Sequence, residues 1–124
     1  MSKPLLLIED NEQNRYLVTY LMQARNWNVI HAADGPTGID KARESRPVLI
    51  LLDIQLPGMD GYEVAERLRK DPELAEIPII AVTSYAMPGD RERCLDAGCT
   101  GYIEKPIDPA TFADEVESYL GNLS

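Results

Sequence analysis

The sequence predicts an α/β domain, a doubly wound parallel sheet of five strands with five helices. Five short apolar runs alternate strictly with five segments of helical spacing. The runs themselves are continuous in Leu, Ile and Val rather than alternating with polar residues, which is how strands covered on both faces read. At 124 residues the chain fits one domain, residues 1–124.

The strands are expected at Leu5–Ile8, Val29–Ala32, Val48–Leu52, Ile77–Val82 and Tyr102–Ile103. A first helix over Glu12–Arg25 places Leu17, Val18, Leu21 and Met22 on one face, with Trp27 closing it. A second opens at Asp34-Gly35-Pro36 and carries Ile39 and Ala42. Asp60 and Glu63 read as a capping box for a third, with Val64 and Leu68 inward. The fourth runs over Asp90–Ala97 and stops at Gly98, a residue suited to the left-handed position after a helix. The fifth begins at Asp108-Pro109 and aligns Phe112, Val116, Tyr119 and Leu120.

Composition excludes several classes. The net charge of −9 argues against nucleic acid as a direct partner. The apolar run Leu5–Ile8 is stopped by an acidic pair, unlike a signal peptide or membrane span, so a cytoplasmic protein is expected. Cys94 and Cys99 form no disulfide framework or zinc set and read as small buried or half-buried apolar residues. His31, the one histidine, ends the second strand and reads as a surface or packing residue.

Ligands of such sheets bind beyond the carboxyl ends of the strands. There the sequence puts Glu9 and Asp10 after the first strand, Asp53 at the end of the third, Thr83 at the end of the fourth and Lys105 after the fifth. Singly, each is an ordinary turn or cap residue. With the first and third strands adjacent, however, three carboxylates converge and raise one another's pKa unless a cation sits among them. Mg²⁺ fits: it takes oxygen ligands, one or two carboxylates and several waters. Asp10 and Asp53 would be direct ligands, the backbone carbonyl of Gln55 a third, and Glu9 would hold a coordinated water; Mn²⁺ is an acceptable substitute. Lys105 as a point charge and Thr83 as a hydroxyl donor suit phosphoryl oxygens, which makes Asp53 the candidate phosphoryl acceptor.

The segments Leu-Ile-Glu-Asp-Asn at 7–11, Leu-Leu-Asp-Ile-Gln-Leu-Pro-Gly-Met-Asp-Gly at 51–61, Val-Thr-Ser-Tyr-Ala at 82–86 and Gly-Tyr-Ile-Glu-Lys-Pro-Ile at 101–107 resemble the receiver domain of two-component response regulators. The resemblance runs from Leu5 to Leu120, and Tyr85–Asp90 with Ala97-Gly98-Cys99 is similar to stand-alone regulators and to receivers of hybrid histidine kinases. It implies a flavodoxin-like fold with strand order 2-1-3-4-5. It also implies phosphoryl transfer from a phosphohistidine of a sensor kinase or phosphotransfer protein onto Asp53, with slow self-hydrolysis and no enzymatic turnover. Catalysis would be positioning and electrostatics, through Mg²⁺ and Lys105.

In the family the hydroxyl matching Thr83 moves onto the phosphoryl group and the aromatic matching Tyr102 turns inward. Output would then be a protein contact on the fourth helix, fifth strand and fifth helix, about residues 89–120. Donor docking would use the surface near Asn14, Arg15, Val18, Pro106 and Ile107, and Lys105-Pro106 would be cis. Ser84 replaces a common Ala or Gly, while Gln55 and Tyr85 hold positions that tune hydrolysis. A phosphate shuttle or sink in a hybrid-kinase relay is the alternative, and a homodimer stays open. A haloacid dehalogenase-type phosphatase would need an aspartate where Gln55 stands. A flavodoxin-like cofactor binder would need a phosphate loop where Glu9-Asp10-Asn11-Glu12 stands, and a degenerate receiver would lack part of the acidic, hydroxyl and lysine set.

Overall fold

The computed structural model describes residues 3–84 and 88–120. Its elements are β1 (Lys3–Ile8), α1 (Glu12–Gln23), β2 (Trp27–Ala32), α2 (Gly35–Ser45), β3 (Leu49–Asp53), α3 (Gly61–Lys70), β4 (Ile79–Thr83), α4 (Asp90–Asp96), β5 (Gly101–Glu104) and α5 (Phe112–Ser118). All strand pairs are parallel, in the order β2-β1-β3-β4-β5. The chain crosses to opposite sides of β1, so the carboxyl ends of β1 and β3 lie side by side.

Successive residues of a strand point to opposite faces, and the core splits accordingly. Leu6, Ile8, Ile50, Leu52, Ile79 and Ala81 pack with α2, α3 and α4 through Ile39, Ala42, Val64, Leu68 and Cys94. Leu5, Leu7, Leu49, Leu51, Ile80 and Ile103 pack with α1 and α5 through Val18, Met22, Phe112 and Val116. Both faces of the central strands are thereby dry, which accounts for their unbroken apolar sequence.

Several element ends differ from expectation. Trp27 opens β2 instead of closing α1, because Arg25 and Asn26 donate to Met22 and Gln23 in tightened turns and Asn26 then takes φ 69°. The Trp27 indole lies 4.5 Å from the Lys3 ammonium and donates to Glu117 at 3.1 Å. Arg25, in the same turn, meets Asp114 and Glu117 of α5, each at 2.7 Å. Helix α5 begins at Phe112, since Asp108 takes up the Ala110 N–H on its side chain and the Thr111 and Phe112 N–H groups on its carbonyl. Val48 and Ile77 fall outside the strands: Val48 donates to Pro4 just before β3, and Ile77 closes a turn onto Leu74.

Asp60 caps α3 by accepting the Glu63 N–H at 3.0 Å, but the Glu63 carboxylate pairs with Arg67 at 2.8 Å. Half of the expected capping box is therefore observed. Gly98 ends α4 with φ 109°, the Gly98 and Cys99 N–H groups returning to Leu95 and Cys94. A Cβ there would also lie 2.5 Å from Arg69 Cγ, so the position excludes larger residues on two counts. Cys94 and Cys99 are free and buried, as expected. His31 sits one residue before the end of β2, its Nε2 2.8 Å from Thr19 Oγ1.

Candidate functional site

The ends of β1, β3, β4 and β5 form one pocket. Leu7 to Leu51 and Ile8 to Leu52 are in register, which sets Glu9 and Asp10 beside Asp53. Asp53 pairs with Val82, one residue before Thr83, and Thr83 pairs with Glu104, one before Lys105. The Lys105 N–H donates to the Thr83 carbonyl at 2.8 Å, and its peptide bond to Pro106 is cis. The residues predicted at the strand ends are thus brought together by register alone.

Glu9, Asp53 and Thr83 are buried polar residues, at 3%, 3% and 1% exposure, and among the described residues the other buried side chains are apolar. Lys105 Nζ lies 2.9 Å from Glu9 Oε1 and 3.4 Å from Asp53 Oδ2. The other Asp53 oxygen accepts the Gln55 main-chain N–H at 3.0 Å. One lysine thus faces two buried carboxylates, while Asp10 stays exposed at the mouth. Burial, together with the hydrogen bond shared with Asp53, pushes the Glu9 carboxyl above its ordinary range, and Lys105 offsets part of that rise.

One carboxylate oxygen from each of Glu9, Asp10 and Asp53 can be chosen so that all lie within 4.8 Å of one another. Hard oxygen donors, more negative charge than one ammonium neutralises, and an opening to solvent at Asp10 fit a divalent cation that keeps part of its water. Among the described residues this cluster is made of carboxylates alone, with no sulfur or imidazole ligand to favour a softer metal.

The structure adds contacts that sequence reasoning missed. Gly61 sits against the backbone of the acceptor strand, where a Cβ would lie 2.6 Å from both the Asp53 carbonyl oxygen and Ile54 Cα. The Gly61 N–H also donates to the Ile54 carbonyl at 2.9 Å. Its place in the matched segment at 51–61 was the available signal. Arg15 donates to the main-chain carbonyls of Glu9 and Asp10 at 2.9 and 3.0 Å, bracing the acidic turn from α1. Asn11 caps α1 through Asn14 N–H, and its own N–H points to Glu9 Oε2 at 3.3 Å. Beside the pocket runs a cleft of about 530 Å³ whose lining includes Asp10, Gln55, Tyr62, Asp90 and Arg93. There the Arg93 guanidinium lies 3.9 Å from the Tyr62 ring centroid.

Tyr102, two residues into β5, is half-buried against the α2, α3 and α4 side of the core. Burial raises its phenol pKa, and its carbonyl accepts the Tyr119 hydroxyl at 3.0 Å. It is in register with Ala81, two residues before Thr83. Tyr85, expected to tune hydrolysis, lies outside the described residues, as do Ala86 and Met87 of the same matched run.

The model of the response regulator receiver domain matches residues 5–117. The polar-differentiation response regulator DivK of Brucella anthropi is 47% identical over 122 residues, covering 98% of this chain and 99% of that protein. DivK of Brucella ovis is 46% identical over the same span. Among solved structures, the chemotaxis response regulator CheY4 of Vibrio cholerae superposes with a TM-score of 0.91 at 27% identity, covering 97% of this chain and all of that one. The receiver domain of sensor histidine kinase PA1611 from Pseudomonas aeruginosa, solved with a magnesium ion coordinated in its active-site cleft, gives 0.89 at 33% identity and covers 98% of this chain.

Proposed function

The chain belongs to the response regulator receiver domain family of two-component signalling, and we propose that Asp53 is its phosphoryl acceptor, loaded from a phosphohistidine of a sensor kinase or phosphotransfer protein. The observation that carries this is the setting of one buried carboxylate. One Asp53 oxygen faces the Lys105 ammonium at 3.4 Å, the other is held by the Gln55 N–H, and the oxygens of Glu9 and Asp10 stand alongside.

Receiver domains bind Mg²⁺ at an acidic pocket, and the PA1611 receiver holds one in its cleft. In this chain Asp10, Asp53 and the Gln55 carbonyl would hold the ion, with Glu9 reaching it through water. When bound, Mg²⁺ supplies positive charge for the phosphoryl oxygens at the moment of transfer. An Asp53 oxygen attacks phosphorus as the P–N bond of the donor breaks and its electron pair returns to the imidazole. Lys105 balances charge on the equatorial oxygens and orients the acceptor. Thr83, at the end of β4, is near enough in register to donate its hydroxyl to the product. With Tyr102 it would read the modified state out to α4, β5 and α5 as a protein contact. The acyl phosphate is a signal, so the chain does not turn over substrate as an enzyme does. A cytoplasmic setting for this chain is part of the same reading; no described helix is long and apolar enough to cross a membrane.

The near full-length match to DivK favours this output role. The match to the receiver of a sensor histidine kinase is what supports a relay role instead. The test is labelling with acetyl phosphate: wild type should acquire label only with Mg²⁺, and Asp53→Asn should acquire none. Robust labelling of that variant would overturn the assignment.

A further inference from the structure

Helices α2 and α3 lie side by side on one face of the sheet, with a groove of about 380 Å³ between them. Gly35 lets the α2 start press against α3, where an added Cβ would stand 2.8 Å from Val64 Cγ2 and 3.2 Å from Met59 Sδ. Ile39, Met59 and Pro36 give the groove an apolar lining, and Arg43 of α2 faces it with Arg67 and Lys70 of α3. Arg67 is engaged by Glu63 at 2.8 Å. Arg43 is tied to Asp71 at 3.0 Å through Nε alone, and its terminal nitrogens make no hydrogen bond among the described residues. Lys70 is exposed and has no ion-pair partner among them. Each side of an apolar groove thus presents one open cationic donor.

We infer that this groove docks an acidic amphipathic helix of a partner protein, which seats an apolar side chain against Ile39 and Met59 while its carboxylates meet Arg43 and Lys70. A guanidinium with both terminal nitrogens open receives a carboxylate in a two-bond fork, and the Asp71 contact already fixes its orientation. The Met59 thioether is unbranched and adapts to the shape of an incoming side chain. Cations on both sides of an apolar lining match a helix whose apolar stripe is flanked by acids, which is the helix-in-groove mode. Charge also selects a short segment over an extended polyanion. With a net charge of −9 the rest of the chain repels nucleic acid or an anionic membrane wherever contact runs past the groove, whereas screening confines a short helix to charges within about 8 Å. The surface lies apart from α1, where a phosphoryl donor is expected, and from α4, β5 and α5, where a target is expected. It therefore fits a third partner, and it does not depend on Asp53 as acceptor.

The experiment pans a phage-displayed library of random short peptides against the full chain. Enriched peptides are then synthesised with a fluorophore and titrated by anisotropy with wild type, Lys70→Ala, Arg43→Lys and Arg91→Ala, the last removing an exposed cation of α4 outside the groove. Peptides with Asp or Glu flanking Leu, Ile or Phe at helical spacing should be enriched. Lys70→Ala should weaken them roughly fivefold, the upper reach of one exposed ion pair. Arg43→Lys should weaken them by a similar factor although the charge is kept, because the fork is lost. Arg91→Ala should leave them unchanged, and added salt should weaken binding to wild type. Lys70 and Arg43 are exposed, and thermal melts confirm that the variants fold. Absence of any Lys70-dependent peptide, or Lys70-dependent peptides that are basic or lack an apolar anchor, overturns the inference. So does Lys70-dependent binding of phosphatidylglycerol vesicles, or self-association in sedimentation velocity that Lys70→Ala abolishes, since these give the groove to a membrane or to a second copy. Each of these results leaves the assignment of Asp53 untouched.

Discussion

Replacing Gly61 by alanine should slow phosphorylation and destabilise the fold together, because the added methyl meets main chain and not a yielding side chain. Contacts of 2.6 Å to the Asp53 carbonyl oxygen and Ile54 Cα stand against the 3.4 Å at which ordinary van der Waals contact begins. The backbone at Asp53 must then give by about 0.8 Å. Overpacking of this kind costs about 1–3 kcal/mol. Alanine's better helix propensity, at most ~1 kcal/mol, offsets part of that. A net loss of about 1–2 kcal/mol in a domain of this size corresponds to a fall in Tm of roughly 4–8 °C. A displacement approaching 1 Å at a reacting group costs up to about a hundredfold in rate, so labelling by acetyl phosphate should fall about tenfold to a hundredfold. Thermal unfolding by circular dichroism and the initial rate of label uptake, measured well below Tm, check the two halves. A Gly61→Ala protein with wild-type Tm and wild-type labelling rate would refute the claim that α3 is seated directly on the acceptor strand.

Three further outcomes follow from the charges. Adding Mg²⁺ at ten times its Kd should stabilise the wild-type fold by about 1.4 kcal/mol. Without metal, Glu9→Gln should melt higher than wild type at pH 7–8, with a smaller Mg²⁺-induced rise. Glu9 has a raised folded pKa, so its ionised form costs stability above that pKa, and the cost is relieved as pH falls toward the ordinary 4.5; equal melting across pH would contradict it. Asp71 is shifted the other way, held below 3.8 by the Arg43 guanidinium and the Glu73 N–H. Its contribution is present above 3.8 and lost as pH falls through the folded pKa, so Asp71→Asn should move the acid-unfolding midpoint to higher pH.

The chemistry of the pocket was legible in the sequence because it depends on strand ends and register. Once Leu5–Ile8 and Val48–Leu52 are read as adjacent parallel strands, Glu9, Asp10 and Asp53 have no other place to go. Thr83 and Lys105 follow by the same reasoning. The misread boundaries lie where a side chain captures main chain locally. Asp108 holds three N–H groups of a turn and delays α5 to Phe112. Asn26 adopts a left-handed conformation and hands Trp27 to β2. Contacts such as the Ser84 hydroxyl on the Gln55 side-chain carbonyl, or Gly61 against Asp53, join residues whose meeting depends on the path of two loops. No periodicity announces that path.

Arg25 closes the molecule on itself, tying the turn after α1 to Asp114 and Glu117 of α5. The donor is expected on α1 and the target on α5, so one guanidinium stands between the two visitors. A target that draws Asp114 and Glu117 to itself loosens the α1 side, and linkage requires a bound donor to weaken that target by the same factor. The Asp114 side of this clamp is exposed and the Glu117 side half-buried, and ion pairs at the surface contribute at most about 1 kcal/mol each. Mutual interference through the two pairs is therefore capped at roughly thirtyfold: enough to bias the order in which partners arrive and leave, and too little to forbid both from being present at once.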